Sequence, residues 1–178
     1  MIRVRVPAGA TTGTLAWGVE RAPCQVGRAG LIAAADKREG DGATPCGCWP
    51  LRALYYRPDR LAVPPGRLRA MAITPQMLWC DDPEHPAYNR PVQAPFGGRH
   101  ERLWRQDHRY DLIVVLGFND DPPVPGRGSA IFLHLTEALS GSTAGCVAVA
   151  RPVLARLLAQ LGAAPMIEIA PAGLCPDR

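Results

Sequence analysis

The chain has 178 residues, 47% of them hydrophobic and 20% charged, which excludes a disordered chain and allows a sizeable core without disulfide or metal staples. Twenty basic against sixteen acidic side chains leave a net charge of +4, too mixed to argue for a nucleic-acid partner, and no apolar run reaches the roughly 18 residues of a membrane span. A single domain over residues 1–178 is expected, rich in turns because it carries 18 glycines and 19 prolines.

The N-terminal MIRVRVPAGATTGTLAWG lacks an apolar stretch of about 7–15 residues, so no signal peptide is visible. Short apolar runs bounded by Gly, Pro, Asn or Asp predict strands at Arg3–Val6, Gly30–Ala34, Leu112–Gly117, Ala130–His134, Val147–Ala150 and Met166–Ile169. Between the second and third of these, Arg57 to Arg109 carries Pro64-Pro65, Pro83 and Pro86 and predicts loop. Leu112-Ile113-Val114-Val115-Leu116 does not alternate, which predicts a central strand buried on both faces. One helix is expected over Arg151–Leu161, with Pro152 in its first turn, Gly162 at its stop, and Leu154, Leu157, Leu158 and Leu161 on one face. The fold class is mainly β.

Six cysteines are too sparse for a disulfide scaffold. A disulfide among Cys24, Cys46, Cys48 and Cys80 stays open, depending on redox compartment. Cys46 and Cys48 are separated by one residue and not the usual two to four of a zinc pair, so a zinc site is not expected. Asp81-Asp82, between Cys80 and Pro83, reads as the start of a turn.

Chemistry concentrates in GSAIFLH at 128–134 and STAGCVAVAR at 142–151. These place His134 at the end of an apolar strand and Cys146 behind a Thr-Ala-Gly turn. An imidazole can take a thiol's proton and return it to a leaving group, and the turn's N–H groups can hold an oxyanion, with Gly145 leaving room for substrate. One Cys and one His are also what a buried small hydrophobe and a satisfied strand-end histidine look like. Pattern alone leaves both alternatives standing.

These residues resemble the signature of the L,D-transpeptidases with the YkuD-type catalytic domain. That signature is a histidine, a spacer of a dozen or more residues, then Ser/Thr-His-Gly-Cys and, one residue on, Asn or Arg. His134 matches the upstream histidine; Thr143, Gly145 and Cys146 match the Thr, Gly and nucleophilic Cys. Ala144 stands in place of the second histidine and Ala148 in place of Asn or Arg, as in a branch carrying TAGCVA. Thr44-Pro45-Cys46-Gly47-Cys48-Trp49 is similar to the family's Thr-Pro-x-Gly-x-Phe, with Trp49 in the aromatic place. The stretch around Trp79, Asp81, Asp82, Tyr88, Asn89, His100, Glu101 and Tyr110 supports the likeness, which runs from about Gly30 to Ile169.

The resemblance implies a β-sandwich or barrel with one or two short helices packed on it. It also implies a Cys146 nucleophile, His134 as base, the Gly145 and Cys146 N–H groups as oxyanion donors, and a thioester acyl-enzyme on peptidoglycan stem peptides, with no metal or organic cofactor. Carbapenem-type inhibitors would be expected to acylate the thiol, and the cell envelope would be the place of action. Tyr88 and Asn89 are candidate pocket residues. Arg102 or Arg105, in the diluted basic stretch Arg99–Arg109, are candidates for the charge missing at Ala148; the alternative there is a solvated, salt-bridged loop. Two other functions stay open: a degenerate domain that binds peptidoglycan without turnover, and a thiol peptide hydrolase on another substrate.

Overall fold

The computed structural model describes residues 1–138 and 141–173. Strands β1 (Ile2–Val6), β2 (Thr12–Trp17), β3 (Glu20–Gln25), β4 (Leu31–Ile32), β5 (Thr44–Pro45), β6 (Gly47–Tyr56) and β7 (Ala70–Ala72) form the first part of the chain. Strands β8 (Met77–Cys80), β9 (Pro91–Gln93), β10 (His100–Arg102), β11 (Leu112–Leu116), β12 (Phe132–Leu135) and β13 (Val147–Val149) follow, then helix α1 (Arg151–Ala159) and strand β14 (Met166–Pro171). Among the described residues no helix is long and apolar enough to cross a membrane.

The main sheet runs β11-β12-β13-β3-β2-β1-β14-β6, and β6 pairs with β11, so the eight strands close into a barrel. Closure leaves no long unpaired edge among them. Alternation fills the inside: Ile2, Val4 and Val6 of β1, Leu15 and Trp17 of β2, Leu133 and Leu135 of β12, and Ile167 and Ile169 of β14 belong to one buried cluster. Helix α1 adds Val153, Leu154, Leu157 and Leu158 to it. The helix ends near its expected stop, and Gln160 beyond it accepts the Trp17 indole N–H at 3.1 Å.

All five residues of β11 are buried, as its unbroken apolar run predicts. Leu112, Val114 and Leu116 face the barrel cluster, while Ile113 and Val115 join a second cluster with Tyr55, Trp79, Leu103, Tyr110, Phe132 and Cys146. The three-stranded sheet β10-β8-β9 contributes Trp79 to this outer layer.

Of four differences from the expected elements, the first three have local causes. The segment 57–109 is not all loop: β7 to β10 lie in it, each of three or four residues, with its prolines falling between strands or, as Pro91 in β9, at a strand's first position. Strand β6, ten residues long, has no period-two pattern because the register against β11 shifts between Val114 and Leu116. That bulge turns Leu51 and Leu54, three residues apart, to the same interior. The hairpin β2–β3, turning at Gly18-Val19, reads poorly because Gly13 and Pro23 interrupt its alternation. The expected strand Gly30–Ala34 is only Leu31–Ile32.

Asp111, fully buried just before β11, ties three segments together. Arg60 Nη1 donates to it at 2.7 Å and His108 Nδ1 at 2.8 Å, and the guanidinium of Arg151, the first residue of α1, also donates. Burial raises the Asp111 pKa, but these donors outweigh it and hold the carboxyl below its ordinary value. The folded state therefore binds this proton less tightly than the unfolded chain, so the stabilisation is complete above the ordinary carboxylate range and is lost as pH falls through the lowered value. Asp111→Asn is expected to lower the unfolding free energy by about 2–3 kcal/mol, less than for a fully buried pair because Arg60 and Arg151 keep solvent contact. Urea denaturation at neutral pH, repeated below about pH 4, checks this: the difference between wild type and variant should shrink in acid.

Candidate active site

Strands β12 and β13 run parallel, with Leu133 opposite Val147 and His134 opposite Ala148. Because Leu133, Leu135, Val147 and Val149 enter the barrel interior, alternation turns Phe132, His134, Cys146 and Ala148 to the outer face. Cys146 thus lies one pleat from His134 on the neighbouring strand. Both side chains line one cavity of about 460 Å³ between the barrel and the outer layer.

The thiol is held at two points. Its Sγ accepts the Phe132 backbone N–H at 3.4 Å and donates to the Ala130 carbonyl at 3.2 Å. His134 Nδ1 lies 2.9 Å from the Leu135 carbonyl, which can only accept, so Nδ1 carries the proton and the Nε2 lone pair is left to act as base. The Tyr110 ring meets the imidazole edge to face at 5.2 Å. Burial pushes the Cys146 thiol up to about 12; the Glu101 charge adds to this, and the Phe132 N–H and Lys37 oppose it. Burial likewise lowers His134 to about 4, with Arg109 and Arg105 adding and the Leu135 carbonyl opposing. At neutral pH the resting pair is thiol and neutral imidazole.

The turn before Cys146 is built by two threonines. The Thr44 hydroxyl, fully buried, accepts the Gly27 N–H at 2.8 Å and donates to the Gly145 carbonyl at 2.8 Å. The Thr143 hydroxyl donates to the Cys146 carbonyl at 2.7 Å and accepts the Gly145 N–H at 3.1 Å. The Gly145 N–H expected to hold an oxyanion is therefore already engaged. Glycine is required at 145 for another reason: φ is +139°, and a Cβ would stand 3.0 Å from the Ala43 carbonyl oxygen.

The other expected residues divide. Arg105 lines the cavity, its guanidinium held by Asp107 at 2.6 Å and placed over the Tyr110 ring at 5.0 Å. Arg102 is exposed on β10 and is not in the cavity wall. Tyr88 and Asn89 are buried and do not line the cavity either; their polar atoms are taken up in bracing residues 128–130. Tyr88 donates to Glu39 Oε2 at 2.5 Å and accepts the Gly128 N–H at 3.0 Å. Asn89 Oδ1 accepts from Trp79 Nε1 at 2.9 Å and from the Ala130 N–H at 3.0 Å, while its Nδ2 donates to the Phe118 and Asn119 carbonyls. These two residues position the segment whose Ala130 carbonyl accepts the thiol's hydrogen bond.

Ala144 lines the cavity, and Ala148 is fully buried beside His134. Positive charge instead comes from Arg28, Lys37 and Arg109, which sequence reasoning did not single out. Lys37 is buried and donates to Asp41 Oδ1 at 2.6 Å; Arg109 is exposed and has no ion-pair partner among the described residues. Each comes from a separate loop, so no spacing in the sequence announces that they converge. Cys24, Cys46, Cys48, Cys80 and Cys146 are free thiols, and Cys175 lies outside the described residues. Among the described residues, no three His, Cys, Asp or Glu side chains converge on a metal-binding arrangement.

The family model of the L,D-transpeptidase catalytic domain, YkuD, matches residues 10–169, from the turn between β1 and β2 to the middle of β14. No curated protein matches the chain. With the match covering nearly all of a mainly β barrel that carries a cysteine and a histidine in one outer cavity, the chain belongs to the YkuD family of L,D-transpeptidase catalytic domains.

Proposed function

We propose that the protein is a cysteine-dependent L,D-transpeptidase or L,D-carboxypeptidase acting on peptidoglycan stem peptides. The observation that carries this reading is the placement of Cys146 and His134 on one sheet face, lining one cavity, with the His134 tautomer set by the Leu135 carbonyl. As Sγ attacks the carbonyl before the terminal D-residue, the thiol proton passes to His134 Nε2. The tetrahedral oxyanion forms beside the Cys146 N–H. Collapse breaks the C–N bond, the imidazolium protonates the leaving amine, and a thioester remains. An amine on a neighbouring stem, or water, then takes the acyl group.

Arg109 and Arg28 give the cavity mouth charge that suits the carboxylate of the departing D-residue, a role that no side chain at Ala148 can fill. Arg105, with its charge matched by Asp107, is the weaker candidate. Because both Cys146 and His134 rest neutral, proton transfer accompanies attack and does not precede it.

Incubation with a stem tetrapeptide is expected to release the terminal D-residue and add the acyl mass to Cys146, read by mass spectrometry. Cys146→Ala should do neither, and His134→Gln should slow release by about 10²–10⁴-fold. Saturable binding of the peptide with no release would identify a binding domain, the reading favoured by the alanines at 144 and 148. A carbapenem should acylate the wild type and leave Cys146→Ala unmodified. Iodoacetamide, which accepts no proton from the enzyme, should label the exposed Cys48 ahead of Cys146 at neutral pH, and Cys146 labelling should keep rising through about pH 9. A plateau near neutrality would show a preformed thiolate.

A further inference from the structure

Transfer of an acyl group to an amine leaves one proton that the Cys146–His134 pair does not handle. A primary alkylamine arrives as an ammonium with three N–H protons, and the amide product keeps one. A second returns to Sγ through His134. The third needs another base.

Three carboxylates line the cavity: Glu39, Asp81 and Glu101. Glu39 Oε2 already accepts from the Tyr88 and Ser129 hydroxyls, and Asp81 is paired with Arg99 at 3.1 Å. Glu101 differs. Among the described residues its one hydrogen-bond donor is the neutral Tyr110 hydroxyl, at 2.6 Å to Oε1, where Glu39 accepts two hydroxyls and Asp81 a guanidinium, and its side chain lines the cavity. The same Tyr110 packs against His134, and the Glu101 charge is felt at Cys146. Carboxylate, phenol and imidazole thus form one chain of contacts, and the thiol that lines the same cavity feels the carboxylate's charge.

We propose that Glu101 is the second base of the transfer half-reaction, its carboxylate receiving the ammonium of the acyl acceptor and taking the surplus proton. The inference rests on the peptidyl-transfer reading above. The ammonium gives one proton to Glu101; the free amine attacks the thioester carbonyl; the C–S bond breaks as the C–N bond forms; and the remaining surplus N–H proton passes through His134 to Sγ. The products are amide, thiol and a protonated Glu101, which returns its proton to solvent. Burial raises the Glu101 pKa above the usual carboxylate range, with Asp81 and Glu39 adding and the Tyr110 hydroxyl and Arg105 opposing; Cys146 faces it from the barrel. A stronger base than an ordinary carboxylate results.

The test measures, from the same acyl-enzyme, the ratio of aminolysis to hydrolysis with two acceptors, ethylamine and hydroxylamine, the latter already a free base at neutral pH. In Glu101→Gln the ratio for ethylamine should fall by about 10²-fold, while that for hydroxylamine should change by less than about threefold. Equal loss for both amines, or loss for neither, would overturn the assignment. On the wild type alone, the ethylamine ratio should level off once Glu101 ionises; a rise of about tenfold per pH unit from pH 6 to 9, tracking free amine, would also overturn it. A wild type that forms no acyl-enzyme overturns the peptidyl-transfer reading itself, a separate result seen before any acceptor is added.

Discussion

The parallel pairing of β12 with β13, in the register that sets His134 opposite Ala148, is the constraint on which the site depends. In a strand the side-chain period is two, so a slip of one residue would send Cys146 or His134 into the barrel and a valine or leucine into the cavity. The slip is opposed by the whole interior: Leu133, Leu135, Val147 and Val149 are all at most 2% exposed, and each would have to leave that environment. Hydrophobic burial on one face of the sheet thereby places chemistry on the other.

The outer layer determines the character of that chemistry. Trp79, Tyr110 and Phe132 pack edge to face around the imidazole and thiol and keep them out of water. Burial disfavours both charged forms, which is why thiol and imidazole rest neutral. The surrounding ions are arranged unevenly. Lys37, Arg28 and Arg109 favour negative charge in the cavity, while Glu39, Asp81 and Glu101 favour positive. A substrate that carries both signs suits such a wall better than one of single sign.

Elements whose pattern arises from one uniform environment were legible in the sequence. Helix α1 has one apolar stripe, β11 is buried on both faces, and β1 alternates cleanly. Elements with a divided environment were not. Strand β6 pairs with β14, β11 and β7 along different parts of its length and carries a bulge, so its ten residues have no single period. The site followed the same division. His134 and Cys146 sit in a recognisable local motif, whereas Glu101 of β10 and Lys37 and Arg109 of two separate loops come together only through the tertiary fold. Tyr88 and Asn89 were recognisable as special residues but not in their role, because a buried polar side chain looks the same in sequence whether it meets a ligand or the backbone.

Strand β14 lies between β1 and β6, parallel to β1, with Ile2 beside Ile167 and Ile169 beside Gly47. The ring is thus fastened by a strand from near residue 170 inserted between two from the first third of the chain. Contacts of such long sequence separation incur their loop-closure entropy before any of the gain appears, which makes the last fastening slow. During synthesis Cys146 emerges from the ribosome before the strand that seals the barrel beneath it, so the nascent chain carries that thiol on an open sheet until β14 arrives.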